Sequence, residues 1–237
     1  MLKKQNIRNY ARPFGVLALC NALAFLLIVC SVNVIRGSAV QAPAPLAGQA
    51  YIIDPGHGGL DGGCSSPDGV HEREVTLAIA LRLGAKLEAH GATVRYTRTD
   101  QASLVDENGK WDRNKDLRAR AALMQANPEA IVISLHANTF PSMQEGIELF
   151  VEPRDTASMA LAEHLQAAFR DHLQPENKRA IKTADLYILR KAPGRAVLIE
   201  CGFLNNPAEA ARLVDPAWQE LFVQALVSGL SNAHAPS

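Results

Sequence analysis

The sequence predicts a single α/β domain: a mostly parallel, twisted sheet of about six strands with helices on both faces, preceded by an apolar N-terminal segment. Three observations lead there. Short apolar runs alternate with longer amphipathic stretches from about residue 50 to residue 232. Several of the short runs are apolar throughout, as strands covered on both faces are. The chain has 237 residues at 48% hydrophobic composition, enough for one domain with a substantial core.

Taken in order, Phe14 to Ile35 carries no charge, and a helix of that length at ~1.5 Å per residue reaches across a ~30 Å bilayer core. Lys3, Lys4, Arg8 and Arg12 precede it and only Arg36 follows closely, so residues 1–13 are expected as a cytoplasmic tail and the remainder outside. The expected location is therefore the cytoplasmic membrane, single-pass, with the folded domain outside. A secreted form after signal cleavage is the alternative, with "GSA" and "VQA" as cleavage sites, although signal-peptide apolar regions usually run ~7–15 residues. Residues 36–49, small and Ala/Pro-rich, read as a linker, which leaves a domain over 50–232.

Tyr51, Ile52 and Ile53 read as a buried strand stopped by Pro55 and Gly56, which puts His57 on a glycine-flanked loop past the strand end, where ligands bind in open α/β sheets. Val75, Ile79, Leu83 and Leu87 recur at helical spacing from Glu72 until Gly91 caps the helix. A strand over 92–98, a helix over 114–127 and an apolar strand over 130–136, ending at His136, follow. Next come a strand over 146–152, a long helix over 156–173, a short strand "LYILR" over 186–190, and a buried strand over 195–206 that runs out at Glu200. A helix beginning just after Asp215 closes the domain.

The formal net charge is zero and basic residues are dispersed, so no nucleic-acid surface is expected. Of four cysteines, Cys20 and Cys30 lie in the apolar segment, leaving Cys64 and Cys201 as one conceivable disulfide. Two histidines and a carboxylate with a vacant fourth position form a common pattern for catalytic zinc. His57 and His136 supply the nitrogens, and Glu72, opening the first helix, is the best-placed carboxylate, with Asp54, Asp61 and Asp68 on the same connection. Singly, each has an ordinary reading: a turn histidine, a polar group ending a core strand, an acid favoured in a first helical turn.

The stretches "DPGHGGLDGG", "EREVTLAIA", "ISLHAN" and "LIECGFLNN", in this order and spacing, resemble the zinc-dependent N-acetylmuramoyl-L-alanine amidases of bacterial cell walls, from Tyr51 to about Leu230. Within that family the membrane-anchored, single-domain arrangement is most similar to the amidases of spore-cortex peptidoglycan. The resemblance implies His57, Glu72 and His136 as zinc ligands, Glu200 as catalytic acid/base, and peptidoglycan as substrate. The bond cut would join the lactyl group of N-acetylmuramic acid to the L-alanine of the stem peptide; in cortex the denuded muramic acid is the precursor of muramic-δ-lactam, made with a separate deacetylase.

Arg73 stands where the family usually has lysine. His71 and Cys64 could compete for zinc and are expected to lie off the ion. Asp54 is expected to hold His57 or its loop, Asn138 to meet substrate or steady a turn, and Cys201 to face away from the metal. Arg98, Arg118, Arg120 and Arg190 are candidates for stem-peptide carboxylates, although charges on helices are usually solvated. The short segment after His136 leaves no room for the covering helix of some wall amidases, which implies an open groove, with any regulation left to a protein partner or controlled expression. The competing readings are a general cell-wall amidase, a zinc peptidase or deacylase acting on another amide, a non-catalytic wall-binding module, and a structural zinc domain. Glu200 argues against mere binding, and structural sites usually have four protein ligands.

Overall fold

The computed structural model describes residues 45–234 except 105, 108–109, 174–175 and 177–178. The basic tail, the apolar segment over 14–35 and most of the linker lie outside the described residues. Among those described, no helix is long and apolar enough to cross a membrane.

The strands are β1 (Ala50–Pro55), β2 (Thr93–Tyr96), β3 (Asp106–Glu107), β4 (Lys110–Trp111), β5 (Ile131–Asn138), β6 (Glu148–Val151), β7 (Lys182–Thr183) and β8 (Ala196–Phe203). Six of them form one sheet in the order β2-β1-β5-β8-β6-β7, parallel throughout except for the antiparallel β6–β8 pair; β3 and β4 make a separate antiparallel ribbon. The helices are α1 (Glu72–Ala89), α2 (Arg113–Gln125), α3 (Thr156–His172), α4 (Tyr187–Lys191), α5 (Pro207–Val214) and α6 (Pro216–Asn232). Local chemistry sets their ends: Asp112, Asp155 and Asp215 accept backbone N–H groups at the starts of α2, α3 and α6, and Gly91 takes φ 88 just past α1.

Strand alternation divides the core in two. Tyr51, Ile53, Ile133, Leu135, Val197 and Ile199 pack with α1, α3 and α6, through side chains such as Ile79, Leu83, Leu165, Phe169, Phe222 and Leu226. Ile52, Val132 and Leu198 point the other way, onto Met124 of α2 and Ile188 and Leu189 of α4. That second cover is short. Two residues further along the same face the side chains turn polar: Asp54 and Ser134 are register partners, as are His136 and Glu200, and Glu200 and Glu148. A half-covered sheet face is thus where the chemistry-bearing residues collect.

The structure corrects four readings. "LYILR" is a helix, not a strand: Ile188 and Leu189 are both buried in one cluster, which a strand's alternation cannot do for adjacent residues. The sixth strand is instead Lys182–Thr183, an exposed two-residue edge. β5 and β8 continue past His136 and Glu200 to Asn138 and Phe203, so both residues are inside strands, and α5 follows β8 unforeseen. Leu46, read as linker, is fully buried in the larger core, its N–H bonded to the His90 carbonyl.

Candidate active site

Three glycines with positive φ and a histidine at φ 61 turn the chain sharply after β1. His57 is the non-glycine residue in that region among those described, and the strain is offset by what its ring reaches. Nδ1 lies 2.8 Å from Asp61 Oδ2, and Nε2 lies 3.1 Å from Glu72 Oε2. Glu72, the first residue of α1, is buried; its other oxygen is 2.9 Å from His136 Nδ1 and accepts the Ala137 N–H at 3.0 Å. The Cys64 N–H donates to Glu72 Oε2 at 3.0 Å. One donor atom from each of His57, Glu72 and His136 lies within 4.8 Å of the others, the grouping of this kind found among the described residues.

The loop is packed so closely that a Cβ on Gly63 would collide with Glu72 and His57, and one on Gly56 with the His136 ring. Burial alone would raise the Glu72 carboxyl, but hydrogen bonds and charge from the two histidines hold it well below the usual carboxylate range. Burial opposes protonation of both imidazoles, yet their bonds to Glu72 raise them. The site therefore favours positive charge where the three side chains meet. Donors on a tetrahedral cation with ~2.0–2.1 Å bonds stand about 3.3 Å apart, and each histidine nitrogen lies near that distance from a Glu72 oxygen, at 3.1 and 2.9 Å, so the chemistry of this two-nitrogen, one-carboxylate set fits zinc.

Glu200 pairs with His136 in register and shares its face. Its Oε2 is buried and finds no hydrogen-bond partner among the described residues. Burial pushes this carboxyl up to about 7; His136 and His57 pull against that, while Glu72 and Glu148 add to it.

Two buried arginines hold the loop from beneath. Arg120 donates to the carbonyls of Pro55 (2.9 Å) and His57 (2.5 Å) and pairs with Asp54 and Asp116, each at 2.7 Å. Arg98 donates to the carbonyls of Pro55, Gly56 and Arg73. Asp54 also receives the hydroxyls of Thr97 and Ser134, and although burial would raise it, Arg120 and these bonds hold it low. Of the two expectations for Asp54 the second is the one observed: Asp61, not Asp54, bonds the His57 ring, and Asp54 acts on the loop through Arg120. Arg118 is exposed and Arg190 pairs with Asp185, so neither shares this clasp.

His71 turns to Ser65, and Cys64 directs its sulfur to the Ala137 carbonyl, so neither is in the donor cluster. Cys201 lies in the core on the opposite face from Glu200, and both thiols are free. Asn138 donates to Glu148 Oε2 at 3.1 Å and accepts the Thr139 N–H, which steadies the chain leaving β5. Arg73 donates to the Gly59 carbonyl.

Residues 52–232 match the N-acetylmuramoyl-L-alanine amidase family of Amidase_3 type. The chain belongs to this family. Among similar amidases, the germination-specific N-acetylmuramoyl-L-alanine amidase of Bacillus subtilis is 33% identical over 190 residues, covering 78% of this chain and 80% of that protein. The probable cell wall amidase LytH of Staphylococcus aureus is 31% identical over 78% of this chain and 58% of its own length. The solved CwlD amidase of Clostridioides difficile, in complex with the GerS lipoprotein, superposes with a TM-score of 0.75 at 32% identity over 78% of this chain and 98% of that one. The amidase matched region takes in the His57 loop, α1, β5 and β8, so every element that builds the site belongs to the family's domain.

Proposed function

We propose that this peptidoglycan amidase is a zinc enzyme in which His57, Glu72 and His136 hold the metal and Glu200 moves the proton. The reading is carried by one observation: a buried, unpartnered carboxylate oxygen stands in register with one of three converging donors. Bound zinc supplies Lewis acidity, polarising the amide carbonyl and acidifying water. The Asp61 bond fixes the His57 tautomer, leaving Nε2 with its lone pair toward the metal position. Glu200, raised toward neutrality, accepts a proton from the attacking water and delivers it to the departing nitrogen of L-alanine. The C–N bond breaks, the hydroxyl stays on the lactyl carbonyl carbon, and the amine leaves neutral. Such proton transfer is typically worth ~10²–10⁴ in rate. Asn138 is turned to Glu148 rather than into the donor cluster, which favours a structural role for it.

Expected results separate ligand from proton carrier. His57→Ala and His136→Ala lose both bound zinc, measured by elemental analysis, and muropeptide cleavage, measured by mass spectrometry. Glu200→Gln keeps zinc while cleavage falls at least ~10²-fold. Near-normal cleavage by Glu200→Gln would remove it from the mechanism, and a peptide bond as the cleaved site would favour the peptidase reading.

The spore-cortex role is part of the proposal, supported by the germination-specific relative. Loss of the gene should deplete muramic-δ-lactam from cortex; unchanged δ-lactam would favour a general wall amidase. Anchoring through residues 14–35 with the domain outside rests on the apolar run and the charge before it. Protease added to intact protoplasts should then remove the domain. An activating protein partner is supported by the lipoprotein-bound neighbour.

A further inference from the structure

Beyond Glu200 the sheet face continues into a cleft of about 540 Å³, within the roughly 300–1,000 Å³ of small-ligand sites. Its floor is β6, β7 and the end of β8: Glu148 is the register partner of Glu200, and Phe150 that of Lys182. On the other side of the histidine pair, the hollow bounded by Trp111, Leu117 and Ile188 holds only about 80 Å³. A peptide branch of the substrate therefore has room on the β6 side. The charged residues lining that cleft are one carboxylate, Glu148, and two cations, Arg179 and Lys182, a net excess of one positive charge.

The two cations differ. Arg179 is tied into the wall by Glu148, Gln144 and the Glu145 carbonyl. The Lys182 side chain is 47% exposed, lies over the Phe150 ring, and spends one of its three N–H donors on Glu148 at 2.6 Å. An ammonium with donors left over, at the mouth of a cleft that starts beside the proton carrier, is placed to meet an anion. In the uncleaved substrate the muramic acid carboxyl is tied up in the amide, so the anion close to the cut comes from the stem peptide.

We propose that this cleft is the subsite for the stem peptide and that Lys182 pairs there with the α-carboxylate of the D-glutamate after L-alanine; this rests on the amidase reading above. Glu148, itself bonded by Asn138, competes with the substrate for one N–H of this lysine.

The test compares N-acetylmuramoyl-L-alanyl-D-glutamate with its carboxamide counterpart, N-acetylmuramoyl-L-alanyl-D-isoglutamine, on the zinc-loaded full chain. KM is read on the wild type, and Kd on Glu200→Gln, which binds without turnover. The wild type should favour the carboxylate through KM by about fivefold, the effect of one partly exposed ion pair. Lys182→Met should bring the ratio to about one, Lys182→Arg should keep it, and Glu148→Gln, by freeing the ammonium, should enlarge it. Equal KM for the two ligands in wild type, or a preference that survives Lys182→Met, overturns the proposal. Cleavage of neither ligand by the zinc-loaded wild type would instead fault the amidase mechanism, while the Kd ratio on Glu200→Gln still decides the subsite.

Discussion

A carboxylate oxygen held out of water with no donor is unfavourable, and Glu200 has one; under the mechanism proposed above, its task is to change protonation. The consequence is visible in stability. With its carboxyl raised to about 7 in the fold and near ~4.3 when unfolded, the folded state retains a proton the unfolded state has lost between those values. Metal-free wild type should therefore lose stability as pH rises from about 4 to 7 and stay lower above that. Glu200→Gln removes this loss, so chelator-treated Glu200→Gln should exceed wild type at pH 8 by about 1–2 kcal/mol, discounted for the residue's partial exposure, with the gap closing toward pH 4. Urea denaturation at the two pH values measures it. Arg120 makes the opposite case. Arg120→Met strips Asp54 and Asp116 of their buried partner and should cost about 3–5 kcal/mol, with zinc affinity falling because the His57 carbonyl is released. The paired change Asp54→Asn with Arg120→Met should recover part of that stability.

The connection from β1 to α1 does the assembling, and its glycines are not equivalent. Gly63→Ala meets both positive φ and the Glu72 and His57 side chains, so zinc affinity should drop about 10–100-fold while circular dichroism stays native. Gly69→Ala has open space around it and should cost only about 1 kcal/mol of backbone strain, with zinc binding unchanged. Elements with strong periodicity or unbroken apolar runs, such as α1, α3, α6, β5 and the core of β8, were readable from the residues. The donors were readable because each stands at or beside such an element. β7 has two polar residues and no apolar signature, and α4 offers an apolar triplet too short to show its period, so the sequence suggests a strand at α4 and nothing at β7. Asp61 is legible as a loop carboxylate but not as the partner of His57, and the arginine clasp is hidden because Arg98 and Arg120 look like solvated charges until the fold brings three loop carbonyls to them.

At the scale of the molecule, the folded unit starts earlier than composition suggests. A chain beginning at residue 50 discards Leu46 from the larger core and should be less stable than one beginning at residue 44 by about 2–4 kcal/mol, read from urea midpoints at constant slope. The parallel strands also give the molecule a direction. Leu46 bonds beside the C-terminal end of α1, at the edge where β1, β5 and β8 begin, whereas the donors gather where those strands finish. From Ile131 to His136 the strand takes five steps, roughly 17 Å at ~3.3 Å each. The domain thus has a foot, where Leu46 is seated, and a head, where the donors lie: a bulky label attached at Pro45 would stand at the foot and leave the approach to the donors clear.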